Sequence, residues 1–503
     1  MSVNNLPVEI LQVIFQYLPV RDRLVASTAC REWALTALSW PCLQDVVLVI
    51  RTSTCGESLP ELENSHRRYR NVRVDFDRTL DQLQLQCLFE IFSRFGEFLE
   101  RLTIDWCVDD TPIDLHVLLA FLRKTPTLKE LQVYDKDQLS DSESMNLFEI
   151  PVLRQLEDVT LPVGVMDTVE FDLVKLAPNV KHVDVEFCGK HPWEAIKTLN
   201  EKLQTLSIRT ETKNNFRQLW ALKPDKLQEL FLIRRDCDLL PPDDVTVPYA
   251  IHFFPKCSKL TALRLELNVP LPVLEVIARC CPHLKALLVY EHDDGWQLLT
   301  IIQQFIKLES LTISETFFDH YYGKSEDLCL PGLKNLELYA PDLANANQFF
   351  IQLDSIMPKL TALQLIHYNK ICEEYYDKVV LQALFRSKLR RLEKLMLFEG
   401  GSDFPSHLLS QLNLLPNLKE LRIVYHTLMP WSRSATIPGI RVFAVNVPLS
   451  NFQLRGLLRL FPSLIRLELL EHKDSPLCLE ELRRIMPQCD FVIRAVPFIE
   501  KWI

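Results

Sequence analysis

The chain has 503 residues, more than one hydrophobic core usually spans, so several domains or a repeat architecture are expected. Its composition, 48% hydrophobic and 24% charged, is that of a folded protein and excludes disorder as the dominant state. A formal net charge of −10 argues against tracking nucleic-acid phosphates, and the absence of a signal-like start or a membrane-length apolar run leads us to expect a cytoplasmic or nuclear protein without a membrane partner.

Residues 6–33 read LPVEILQVIFQYLPVRDRLVASTACREW. Pro7 suits a first helical turn, and EILQVIFQYL places Ile10, Ile14 and Leu18 on one stripe with Leu11 and Phe15 beside it. Pro19 ends that helix. A second helix, DRLVASTACREWALTA, is expected to turn Leu24, Cys30 and Trp33 inward. So short a module cannot bury all these groups, and a partner or the adjoining chain must cover the remainder.

Taken with Asp22, Arg31 and Trp40, these residues resemble the F-box family over residues 6–40. The resemblance implies docking on a Skp-type adaptor, and through it a cullin, in a ubiquitin ligase. It carries adaptor binding to Leu6, Pro7, Glu9, Ile10, Leu11, Ile14, Phe15, Leu18, Pro19, Leu24, Cys30 and Trp33. The family usually has an aliphatic residue in place of Arg23 and Val in place of Ala29, departures that lower the expected burial. The basic run HRRYRNVR at 66–73 reads as a solvated face beside a strand rather than a nucleic-acid contact.

From residue 99 onward the pattern L-x-x-L-x-Φ, with Φ aliphatic, recurs about every 26 residues, within the ~20–29 range of leucine-rich repeats. Examples are LERLTI (99–104), LKELQV (128–133), LKALLV (284–289), LTALQL (360–365) and LIRLEL (464–469), with LQDVVL (43–48) and YRNVRV (69–74) as earlier candidates. The alternating half predicts a short strand with its apolar residues inward. Between strands lie amphipathic stretches such as LDQLQLQCLFEIFSRF (80–95) and PVLEVIARCC (272–281). Pro126, Pro282, Pro331, Pro358, Pro416 and Pro462 stand two residues before a first Leu, where they end the preceding helix. The Asn or Cys that commonly follows the strand is present only at Cys107, Cys188 and Asn268, so the repeats are degenerate.

The expected fold is α/β: a leucine-rich-repeat solenoid, a curved parallel sheet with outer helices, preceded by a small all-helical F-box. The expected segments are the F-box at 1–45, a linking segment with degenerate first repeats at 46–98, the solenoid at 99–487 and a C-terminal cap at 488–503. The stretches 140–146 and 241–248 are expected to project as loops.

No phosphate-cradling glycine motif and no nucleophile elbow occur, and the 14 cysteines are scattered without a Cys-x-x-Cys pair. EHDDGW (291–296) and FDHYYG (318–323) read as solvated turns rather than a metal site. The chain is therefore expected to be a non-catalytic substrate-recognition subunit without cofactor or metal. A leucine-rich-repeat scaffold or inhibitor without ligase activity is the second reading. Strand alternation puts polar groups such as Arg101, Glu130, His182 and Asp184 on the concave face of early repeats. Further along it puts Phe231, Leu288, Tyr290, Tyr339, Ile366, Met396 and Phe398 there, as exposed apolar groups expected to bind a protein target.

Overall fold

A computed structural model of the chain describes residues 6–54, 67–78, 81–106, 115–135, 149–166, 171–186, 192–210, 216–219, 221–234, 247–290, 295–313, 328–339, 346–367, 389–399, 403–404, 411–424, 427–428, 436–445, 451–471 and 486–495, with Leu62, Leu384, Ser387 and Arg484. The stretches 140–146, 241–246, 291–294 and 318–323 lie outside the described residues. The chain divides into two compact units, Met1–Leu239 and Leu240–Ile503.

The first unit opens with helices α1 (Val8–Tyr17), α2 (Val20–Ser27) and α3 (Arg31–Ala37), followed by a 3-10 turn at Trp40–Leu43. The predicted single second helix is two. The Ser27 hydroxyl donates to Leu24 O and the Thr28 hydroxyl to Val25 O, both at 2.7 Å, and such local bonds compete with the helix ladder. Cys30 then takes extended backbone and caps α3, its sulfur accepting the Trp33 N–H at 3.5 Å. Phe15, Ala37 and Cys42 form the module's core, with Leu18, Ala26 and Trp33 packed against them. The Phe15 and Trp33 rings meet edge to face with centroids 5.5 Å apart.

The sheet of this unit follows: β1 (Val47–Arg51), β2 (Asn71–Phe76), β3 (Arg101–Trp106), β4 (Glu130–Asp135), β5 (Asp158–Leu161), β6 (His182–Glu186), β7 (Thr205–Thr210) and β8 (Glu229–Arg234). Each pairs in parallel with the next, and from β2 on the second Leu of the motif falls in one register row, Val72, Leu102, Leu131, Val159, Val183, Leu206 and Leu230; Leu48 of β1 joins that row, so the predicted copy LQDVVL (43–48) stands two residues out of phase. Helix α4 (Gln82–Phe95) enters through a capping box, Asp81 with Gln84. It ends at Gly96, where an added Cβ would stand 2.2 Å from Lys124 O, so only glycine lets the two turns approach.

The second unit repeats this plan in β9 (Ala262–Asn268), β10 (Ala286–Tyr290), β11 (Ser310–Ile313), β12 (Asn335–Tyr339), β13 (Ala362–His367), β14 (Lys394–Glu399), β15 (Glu420–Val424), β16 (Val442–Val445), β17 (Arg466–Glu471) and β18 (Asp490–Ala495). All pair in parallel, with Leu263, Leu287, Leu311, Leu336, Leu363, Leu395, Leu421, Phe443, Leu467 and Phe491 in one row. The expected C-terminal cap thus contributes β18 to the sheet, while residues 496–503 lie outside the described residues. Helices such as Leu271–Cys280 and Ala346–Ile356 stand between strands.

The prolines have a sharper role than ending helices. The N–H groups of Leu128, Leu284, Leu333, Leu360, Leu418 and Leu464 donate to the carbonyls of Thr125, Cys281, Leu330, Met357, Leu415 and Phe461, three residues earlier. Each closes a β-turn with proline in its second place, where the fixed φ of the ring is pre-set for the turn. The proline therefore delivers the first Leu of each strand into the core.

Candidate functional site

Helix α1 carries two apolar stripes. Leu11 and Phe15 point into the module's core, whereas Val8, Ile10, Val13, Ile14 and Tyr17 face outward, Ile10 at 47% and Tyr17 at 86% exposure. Leu24 and Val25 on α2 and Leu35 on α3 are also exposed apolar side chains. These outward apolar side chains lie together on three short helices of one small module.

The residues singled out from the sequence divide accordingly. Pro7, Glu9, Ile10, Ile14, Pro19, Leu24 and Cys30 are exposed, Leu6, Leu18 and Trp33 are half-buried, and Leu11 and Phe15 are buried. Leu24 and Cys30 do not turn inward: α2 ends before Cys30, and its buried position is Arg23. Val8, Val13, Tyr17, Val25 and Leu35 were not singled out, although Ile10, Val13, Ile14 and Tyr17 already form an i, i+3, i+4, i+7 series in the sequence.

Arg23 reverses an expectation. It is 3% exposed, and its guanidinium donates to Cys42 O and to the Asp45 carboxylate, tying α2 to the segment that leads into β1. That hydrogen bond holds the Asp45 carboxyl below the usual carboxylate range. The basic run beyond it is likewise engaged. The Arg70 guanidinium lies over Trp40, Arg68 lies 4.6 Å from the Phe98 centroid, and the Asn71 amide donates to Gln44 O at 2.7 Å. These contacts join the helical module to β2 and to the turn after α4.

The strand face opposite the buried Leu rows is polar from β2 to β7 of the first unit, with apolar Val47 and Val49 on β1 and Phe231 and Ile233 on β8. Glu130, Asp158 and His182 are register neighbours on β4, β5 and β6. Burial pushes the Asp158 carboxyl up, with Glu130 and Asp184 adding to the rise and His182 opposing it. On the second unit's face the expectation of exposed apolar groups fails for Leu288, Tyr339 and Ile366, which are buried. Tyr339, Ile366, Phe398 and Val424 are successive register neighbours, and strands about 4.8 Å apart let such a row cover itself. Leu288 sits between Arg264 and Thr312. Phe231, Met396 and Phe398 are half-buried, and the Tyr290 side chain lies outside the described residues, although its backbone is in β10.

Burial pushes the Cys281 thiol up to about 12 and the Cys489 thiol to about 11, which makes both poor nucleophiles. Among the described residues no group of three or more His, Cys, Asp or Glu could hold a metal ion. No described helix is long and apolar enough to cross a membrane.

The F-box-like family model matches residues 3–39, the segment that forms α1 to α3. The chain is also similar to a solved structure described as the crystal structure of the Rad7 and Elc1 complex in yeast, at 12% identity and a TM-score of 0.31, over 96% of this chain and 92% of that one. No curated protein matches it. The chain thus carries an F-box-like domain at residues 3–39, followed by a repeating parallel sheet.

Proposed function

We propose that this protein is the substrate-recognition subunit of a Skp–cullin–F-box ubiquitin ligase, docking on a Skp-type adaptor through residues 1–45 and holding a protein target on the strand face of leucine-rich repeats within 99–487. The observation that carries the reading is the outward apolar set on an F-box-like domain, Ile10, Ile14, Tyr17, Leu24 and Leu35, which the chain's own core leaves uncovered. The L-x-x-L-x-Φ register rows support the repeat class. The contribution to ubiquitin transfer is proximity and orientation, and the bond making belongs to a recruited conjugating enzyme.

The test is co-purification of the full chain with a Skp-type adaptor. Ile10→Glu with Ile14→Glu places two charges in the contact and should weaken adaptor binding by about a hundredfold or more, at ~1.4 kcal/mol per tenfold. The melting temperature should not move, because both positions face solvent in the free chain. Undiminished recovery of the adaptor by the double variant would rule the docking surface out.

A further inference from the structure

On the strand face of the second unit a cavity of ≈ 280 Å³ crosses β11 to β15. Its origin is a lapse in side-chain size: Ser310, Asn335 and Ala362 are register neighbours, and the row then turns to Lys394 and Glu420. The opening at Ala362 is bounded by Glu337, Gln364 and Met396 in the next row.

The carboxylates at the two ends of this cavity differ. Glu420 accepts from Arg422 at 2.7 Å and has Lys394 at 3.4 Å, and Arg422 in turn reaches Glu468 at 3.2 Å. Burial pushes the Glu420 carboxyl up, but these cations outweigh it and hold it below its ordinary value. Glu337 accepts from the Gln364 amide at 2.8 Å and the Thr312 hydroxyl at 3.3 Å, both neutral donors. Among the described residues no Lys or Arg makes an ion pair with it, and Arg264, the cation that acts on it from farther off, is held by Glu266 at 2.6 Å. Burial raises its carboxyl, with Tyr339, Thr312 and Arg264 opposing. A half-enclosed carboxylate that lacks a cation, while the cations across the cavity are already matched, is complementary to one incoming positive charge.

We propose that the Glu337 cavity is a recognition pocket for one Lys or Arg side chain of an extended segment of the protein target. The inference rests on the reading that this strand face holds the target. The size favours a side chain, since the volume lies just under the ~300–1,000 Å³ of small-molecule sites. Met396 supplies an apolar wall for the methylene stem, and Asn335 and Ser310 supply polar contacts at the rim.

The test is selection of linear peptides from a random display library on the full chain bound to its adaptor, followed by titration of a selected peptide. Lys or Arg should be enriched at one peptide position. Glu337→Gln, and replacement of that basic residue by Met, should each weaken binding about tenfold, with the double change adding little, as expected of a direct contact. Ala362→Phe, which fills the cavity while leaving the Glu337 carboxylate in place, should weaken binding comparably. The pocket is ruled out if no peptide is selected, if the selected peptides share no basic residue, if Glu337→Gln binds them as the native chain does, or if the two losses simply add. Adaptor co-purification is scored separately, so its failure would count against the docking surface and not against this pocket.

Discussion

The guanidinium of Arg70 lies 4.2 Å from the centroid of the Trp40 ring, joining β2 to the 3-10 turn that ends the helical module. Trp40 in turn meets Phe98 edge to face at 6.2 Å, and Arg70 also faces Glu100 at 3.6 Å. Such a stack is worth about 0.5–2 kcal/mol. Arg70→Ala should therefore leave both the helices and the repeats folded while speeding hydrogen exchange in β2 and residues 40–46 by about tenfold. Unchanged exchange there would show that the stack does not hold the module in place.

Asp45 gives that same region an acid-sensitive tie. Its folded-state carboxyl sits below the ordinary value because of the Arg23 hydrogen bond, so the stabilisation is present above the unfolded value of about 4 and is lost as pH falls through the folded value. Asp45→Asn should lower the melting temperature at pH 7, and the gap to the native chain should close below about pH 4. A gap independent of pH would mean that the contact is steric rather than ionic.

Asp158 has the opposite sign. Its carboxyl is raised by burial and by Glu130 and Asp184, so the native state favours the protonated form. Stability is fully present below the unfolded value of about 4 and is lost as pH rises through the folded value. Asp158→Asn should raise the melting temperature at pH 7.5 and do little at pH 3.5. A lower melting temperature at pH 7.5 would show that the ionised carboxylate has a compensating partner.

The apolar row on the second unit's strand face is testable as packing. Ile366 is 0% exposed between Tyr339 and Phe398, so Ile366→Ala should cost about 2–5 kcal/mol in a urea transition. A change below about 1 kcal/mol would return the row to the status of exposed surface.

What the sequence could disclose follows from how far apart the deciding residues stand. The Leu rows are a local period and were legible from β2 to β17, as was the first helix with its stop at Pro19; at the ends, LQDVVL (43–48) is two residues out of phase with β1, and Phe491, expected in a cap, closes the row. Arg23 was misread because its partners, Cys42 and Asp45, lie 19 and 22 residues on, and nothing local distinguishes a buried arginine from a solvated one. The split of the second helix was written in Ser27 and Thr28, whose hydroxyl bonds to the preceding turn are a local signal that helical periodicity overrode. Tyr339 and Ile366 looked exposed because alternation assigns a face and not a neighbour. The row that covers them comes from strands whose paired residues are 26 to 32 positions apart. Glu337 gave no signal at all, since its distinction is the lack of a cation on adjoining strands.

Between successive strands, lysine and glutamate alternate at the first x position of the motif: Lys181 with Glu157, Lys334 with Glu309 and Lys419 with Glu393, at 2.7, 2.8 and 2.8 Å. Backbone bonds follow the same step, Lys334 N–H to Glu309 O and Lys419 N–H to Glu393 O. Most matches of a helix–strand pair are thus to its two neighbours, the Arg422–Glu468 pair reaching one strand further, so a gene that loses or duplicates one whole pair away from it leaves most matches in phase. A single residue inserted within a strand is the severe lesion, because it turns every later side chain of that strand to the wrong face.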